Sequence, residues 1–305
     1  MFWLTGRGRV GVGIAASTTI LSLAFLSGLF SAASAQNGDA STVGQWSGVK
    51  PWPAVAVHAH LLPTGKVMYY SYGDDSRSWD PANDAITQLA LAGYNIFCTG
   101  HSLLGDGRLL VTGGHISNNI GERRATLYDP STNKWTNQPD MNAGRWYPTN
   151  TALANGDVLV VSGSDEQGRM NPLPQVWQVG DGRWRSLTSA TRDLPYYPFM
   201  YAWNGKVFNA GPNQDTQYLD TSGTGAWTNV GLRRFGFRDY GSSVMYDDGK
   251  VLVVGGADPP TPTAEVIDLN AASPAWSDAA RMANPRRVAT ECDTPAGWEG
   301  TSHRR

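Results

Sequence analysis

Two cysteines, Cys98 and Cys292, are all that 305 residues contain, so no disulfide framework holds this chain together. Charge is sparse and even. There are 24 Lys and Arg against 26 Asp and Glu, a formal net charge of −2. No basic surplus points to nucleic acid, and no acidic run reads as a solvating tail. No nucleophile-elbow serine, phosphate-binding glycine loop or zinc-type Cys/His spacing occurs. What is abundant is 35 Gly, 12 Trp and 12 Tyr, the mixture of a protein built from short strands and tight turns.

The one long apolar stretch lies at the N-terminus, from about residue 10 to residue 30, behind Arg7 and Arg9. Ala33-Ser34-Ala35 then matches a small-residue cleavage pattern before Gln36. Residues 1–35 are therefore expected to be an export signal and residues 36–50 a lead-in. The product is expected to be secreted or held in the cell envelope. Membrane contact is expected only if the segment is left uncleaved. An adjacent Arg-Arg pair is missing, so a twin-arginine signal is not supported.

A pattern recurs between residues 51 and 287. A Gly turn is followed by an apolar run and then small residues, as in Asp106-Gly107-Arg108-Leu109-Leu110-Val111-Thr112-Gly113-Gly114. The turn glycines are Gly65, Gly107, Gly156, Gly205 and Gly249, spaced 42, 49, 49 and 44 residues apart by subtraction. A second pattern keeps step: Tyr128-Asp129-Pro130 leads to Trp135, Leu219-Asp220 to Trp227, and Ile267-Asp268 to Trp276. The turn permits positive φ. The unalternating apolar run predicts a strand buried on both faces. The Gly-Gly pair is expected to relieve crowding near a central axis, and the Trp to pack on an outer strand between units.

Repeats of this length and signature predict an all-β chain, a kelch-type β-propeller of four-stranded blades. Five repeats are countable. Met282 to Arg286 echoes Met141 to Arg145 as the start of another. Residues 288–305 carry no apolar run, no Asp-Gly turn and no Gly-Gly, and are expected to be an irregular tail. The propeller is thus expected to be incomplete, with about five blades.

Two further segments carry a family resemblance. Tyr94-Asn95-Ile96-Phe97-Cys98-Thr99-Gly100-His101-Ser102 and Gly144-Arg145-Trp146-Tyr147-Pro148-Thr149 resemble motifs of galactose oxidase and glyoxal oxidase. These are copper-radical oxidases with kelch propellers of about seven blades. The resemblance implies that Cys98 bonds covalently to Tyr147. The linked Tyr147 would ligate copper and carry a radical, with Trp146 and Arg145 as neighbouring binding residues. It also implies oxidation of a primary alcohol or aldehyde by dioxygen, with hydrogen peroxide as by-product.

The departures from that pattern matter. The family's copper also needs two histidines and an axial tyrosine, and none of His58, His60, His101, His115 and His303 falls at a matching position. Activity is therefore expected to be impaired or absent. In galactose oxidase a tryptophan covers the linked tyrosine. The corresponding turn here holds Asp165, so that cover is expected to be missing. The wording Arg145-Trp146-Tyr147 is closer to the glyoxal oxidase branch. His58 and His60 share one face of a predicted strand, a spacing that suits a metal but gives only two ligands. Arg233, Arg234 and Arg238 are expected to lie on a solvated loop. The other reading is a non-catalytic propeller that presents its loops to a glycan or a protein.

Overall fold

In the computed structural model, residues 44–45 and 47–287 are described. The expected export signal, the tail beyond residue 287, Cys292 and His303 lie outside them. The chain divides into two units, Met1–Pro51 and Trp52–Arg305. The described residues of the first unit form no regular secondary structure. Among the described residues no helix is long and apolar enough to cross a membrane.

The second unit is an all-β propeller of five four-stranded antiparallel blades. Blade 1 comprises His58–Leu61, Val67–Tyr70, Ser76–Trp79 and Ile86–Gln88. Blade 2 comprises Gly100–Leu103, Leu109–Thr112, Ala125–Asp129 and Lys134–Gln138. Blade 3 comprises Thr149–Ala152, Val158–Val161, Gln175–Gln178 and Arg183–Ser186. Blade 4 comprises Phe199–Trp203, Lys206–Gly211, Asp215–Asp220 and Ala226–Leu232, and blade 5 Ser242–Asp247, Lys250–Val254, Ala264–Asp268 and Ser277–Ala279. A short ribbon, His115–Ser117 with Ile120–Gly121, stands between the second and third strands of blade 2. The repeat pattern did not announce it.

Each predicted signature has a physical counterpart. The five turn glycines join first to second strands, and all have φ between +69° and +88°. Leu109–Thr112 and Val158–Val161 are buried along their whole length, which explains their unbroken apolar character. Complete burial of each large apolar side chain there contributes about 1.5–3 kcal/mol. The aspartates that end the third strands accept from the backbone two residues on: Asp129 from Ser131 at 2.8 Å, Asp220 from Ser222 at 2.8 Å and Asp268 from Asn270 at 2.9 Å. They fold the reversal into the fourth strand.

The outer tryptophans bolt neighbouring blades together. The indole of Trp135 donates to the Ala90 carbonyl at 2.8 Å, that of Trp184 to Pro139 at 2.7 Å and that of Trp227 to Ala190 at 2.8 Å. Each reaches back to the segment that follows the preceding blade. The Gly-Gly pairs serve a different purpose from the one expected. A Cβ on Gly113 would come within 2.2 Å of the Arg145 carbonyl, and one on Gly255 within 2.8 Å of the Arg286 carbonyl. The pair admits the segment leading onward from each blade, rather than relieving strands at an axis. Gly114 N–H donates to Arg145 O and Gly256 N–H to Arg286 O. Met282 to Arg286 therefore lies on blade 5 as Met141 to Arg145 lies on blade 2.

The arginine cluster also differs from expectation. Arg234 is exposed and pairs with Asp278 at 3.4 Å. Arg233 and Arg238 are fully buried around Glu265. The loop they sit on folds inward because the two guanidiniums donate to the carbonyls that line it, while the Glu265 carboxylate accepts from the backbone N–H groups of Arg234 and Phe235.

Candidate active site

Cys98, Tyr147, Tyr197 and Tyr240 each stand two residues before the first strand of blades 2, 3, 4 and 5. All four have positive φ, at 64°, 66°, 45° and 52°. This backbone region is strained for side chains of their size, at about 1–3 kcal/mol each. Backbone bonds stitch three of them into a row: Tyr147 N–H donates to Cys98 O and Tyr197 N–H to Tyr147 O, both at 2.9 Å. The strained entries are thus repeated and mutually braced, and they gather the four side chains from successive blades.

Two of the gathered side chains, Tyr147 and Tyr197, form a stack with Trp146. The Trp146 and Tyr147 rings lie 3.7 Å apart at 5°, and the Tyr147 and Tyr197 rings 4.6 Å apart at 22°. Two rings this close and this parallel to a third cannot share one face of it, so Tyr147 is sandwiched. Tyr196 stands edge-on to both Trp146 and Tyr147. The Trp146 indole donates to His115 Nδ1 at 2.9 Å, which fixes its plane. A tryptophan therefore covers Tyr147 although position 165 is Asp. Asp165 instead closes its own turn, accepting from the backbone of Gln167 and Arg169 and from the Arg169 guanidinium.

Cys98 is a buried free thiol. Burial pushes its pKa up to about 12, while hydrogen bonds from the Tyr147 and Trp146 side chains pull the other way. The Tyr147 hydroxyl is also raised, by burial first and then by the Cys98 and Tyr240 side chains. Both groups hold their protons at neutral pH. The thiolate fraction at pH 8 falls about a thousandfold below that of an ordinary cysteine. Folded protein is expected to resist iodoacetamide at Cys98 at pH 8, while urea-unfolded protein reacts within minutes. Equal labelling of the Cys98 peptide in both states would show that the thiol is neither buried nor held protonated.

Two cavities meet at this stack. One of about 450 Å³ is lined by aromatic side chains, among them Tyr147, Tyr196, Tyr197, Phe199, Phe237 and Tyr240. A smaller one of about 220 Å³ is lined by Val57, His58, Phe97, Cys98, Tyr147 and Tyr197. Cys98, Trp146 and Tyr147 are thus brought together. Arg145 is not with them. Its guanidinium is fully buried in blade 3, donating to the carbonyls of Ser162 and Leu173 and to Asn142 Oδ1. Burial without a carboxylate lowers its pKa to about 9. Arg145 braces the fold and does not line either cavity, because its side chain points away from Tyr147 into the carbonyls of the next loop.

Tyr197, Tyr240 and Tyr196 were not singled out from the sequence, and a usable signal exists for the first two. Cys98, Tyr147, Tyr197 and Tyr240 precede the turn glycines 107, 156, 205 and 249 by nine, nine, eight and nine residues. The side chains grouped at Tyr147 are phenols, one indole and one thiol, with the His58 imidazole on the wall of the smaller cavity. Among the described residues no group of three or more His, Cys, Asp or Glu already stands in metal-holding geometry.

The fold and stack together define a class, a kelch-repeat propeller with a buried thiol beside a half-buried phenol at its inner strand entries. The Kelch motif model matches residues 102–142. The chain is 29% identical over 250 residues to galactose oxidase of Gibberella zeae, covering 70% of this chain and 36% of that protein. A WSC domain-containing protein of Arthroderma benhamiae is 32% identical over 146 residues, 42% of this chain and 16% of that one. Among solved structures, a fungal alcohol oxidase of the AA5 family in complex with copper superposes with a TM-score of 0.71 at 23% identity. That match covers 82% of this chain and 58% of the oxidase. YjhT superposes with a TM-score of 0.57 at 14% identity, covering 74% of this chain and 84% of that one. The chain is thus similar to the kelch-repeat galactose oxidases, and it spans about a third of the length of the curated galactose oxidases it matches.

Proposed function

We propose that this chain is an exported propeller of the copper-radical oxidase lineage, in which Cys98 and Tyr147 are the cross-linking pair. Tyr147 would be the copper ligand and radical carrier, and Trp146 its cover. The observation that carries this reading is the Tyr147 ring, sandwiched between Trp146 and Tyr197 with the Cys98 thiol as a hydrogen-bond partner. Two parallel aromatic faces shield a phenol that must survive one-electron oxidation. The ~450 Å³ cavity against the stack suits a small primary alcohol or aldehyde, with hydrogen peroxide as the other product. Because no group of metal-ligating residues stands ready around Tyr147 among the described residues, turnover by these residues is expected to be weak or absent.

A second reading keeps the cavity and drops the chemistry. Its aromatic lining would hold a small glycan or another ligand with an apolar face, and the propeller would act as a binding module. Peptide mapping separates the two. Thioether formation replaces one S–H and one ring C–H by a C–S bond. Two protons and two electrons then pass to dioxygen in the presence of Cu(II). After copper exposure in air, the oxidase reading predicts a loss of two hydrogens confined to a linked Cys98–Tyr147 peptide. Unmodified Cys98 and Tyr147 peptides would leave the binding module as the reading.

A further inference from the structure

Three histidines take no part in the chemistry above. His58 and His60 lie on one face of the first strand of blade 1, and His101 stands on the first strand of blade 2. The spacing of the first two is legible in the sequence, but only the fold adds the third. His58 Nδ1 and His101 Nε2 are 3.0 Å apart. The ring centroids of His58 and His101 are 5.1 Å apart and those of His60 and His101 4.1 Å, each pair at 88°. His58 is only 7% exposed, yet its Nε2 and the Nε2 of His60 meet no hydrogen-bond partner.

Buried imidazole nitrogens without partners are unfavourable, and packing alone gives no reason to gather three such rings. Burial holds all three below the ordinary histidine range, helped at His58 and His60 by the neighbouring rings. No carboxylate or cation is among the groups acting on them. At neutral pH the cluster is therefore uncharged; one nitrogen of the His58–His101 contact carries the shared proton, and an ion bound there would shift that proton to the other nitrogen of the same ring.

We propose that His58, His60 and His101 form a site for a d10 metal ion, Zn(II) or Cu(I), bridging the inner strands of blades 1 and 2. Two nitrogens held at about 2.0–2.1 Å on one tetrahedral ion stand about 3.3 Å apart, close to the separation of His58 Nδ1 and His101 Nε2. The set is not closed in the ion-free fold, in which no three such described residues already meet metal-holding geometry. The missing step is rotation of the His60 ring, whose Nε2 is uncommitted and which already touches His101. Tyr70 stacks on His58 at 4.7 Å, and its hydroxyl is tied to Thr99 at 3.0 Å, so one wall is fixed. Three imidazoles leave a fourth position open, as in catalytic rather than structural zinc sites. The ligands are distinct from Cys98 and Tyr147, although His58 shares the smaller cavity with them, and the variants below separate this site from the oxidase reading.

The test is titration of the metal-free full chain with Zn(II) alone and, under reductant, with Cu(I) alone, each against a chromophoric chelator. One equivalent is expected to bind, and the relative affinities identify the ion. His60→Gln and His101→Gln are each expected to weaken binding by about tenfold or more, since losing a ligand should cost at least as much as losing a ligand's hydrogen-bond partner. Cys98→Ser and His115→Gln are expected to leave it unchanged. Co(II) is expected to give the visible bands of a four-coordinate nitrogen site in the unsubstituted chain, a readout that needs no variant to fold. Absence of binding and of those bands would overturn the assignment. So would binding that survives both Gln variants, and loss confined to Cys98→Ser would place the ion at the Cys98–Tyr147 pair instead.

Discussion

Glu265→Gln is expected to lower the stability of the propeller by about 3–5 kcal/mol, the cost of leaving a buried charge without its partner. Glu265 is 1% exposed and accepts from Arg238 Nε at 3.0 Å and Nη2 at 2.7 Å. Its other oxygen accepts from the backbone of Arg234 and Phe235. Arg233 Nη1 lies 3.7 Å away. Gln fills nearly the same volume, so packing is preserved, but the charge is lost and one acceptor oxygen becomes an NH2 facing either the Arg238 guanidinium or the backbone N–H groups. Two guanidiniums then share the interior of blade 5 with only carbonyls for company. A typical domain has about 5–15 kcal/mol in total, so a large part of the stability is at stake. The check is the urea midpoint beside Asp278→Asn, which removes the exposed partner of Arg234 and should cost at most about 1 kcal/mol. Equal, small shifts in the two variants would mean that Glu265 contributes no more than a surface ion pair.

Acid is expected to destabilise the metal-free protein well above the carboxylate range. Burial pulls the His101 imidazole down to about 4, and His58 and His60 are also held well below the ordinary value. In the unfolded chain these rings protonate near pH 6.5. Below that pH the unfolded state binds more protons than the folded one, so stability falls with falling pH. It is fully present above pH 6.5 and is lost as the pH drops through the folded values. For His101 alone the loss between pH 7 and pH 4 is about 3 kcal/mol, and the other two rings add to it. Urea midpoints at pH 7.5 and pH 5 read the effect, and His101→Asn should flatten the profile. Identical midpoints at the two pH values would show that the rings titrate as if exposed.

Much of the fold was legible because it rests on local rules repeated five times. Gly107 and Gly156 mark reversals that demand positive φ, Leu109 to Val111 forms a strand that can afford no polar side, and Asp129 and Asp220 each fold a turn onto their own backbone. Even the Trp135 bolt was visible in outline, since its spacing from Tyr128 keeps step with the turn. The pair Cys98 and Tyr147 came from a resemblance and not from periodicity, and the fold brings the two together with Trp146.

What remained hidden depends on neighbours distant in the chain. The burial of Arg233 and Arg238 needs Glu265 from another strand. Arg145 turns away from Tyr147 because the carbonyls of Ser162 and Leu173 lie behind it. Position 165 lacks the aromatic cover, yet Trp146 and Tyr197 supply it from two different blades. The sequence by itself determined the strand pattern, the turns and the blade period, because each follows from the φ preference or burial of residues a few places apart. Only the tertiary structure decided which side chains meet at the inner strand entries, because His58, Cys98, Tyr147, Tyr197 and Tyr240 come together solely through the packing of successive blades.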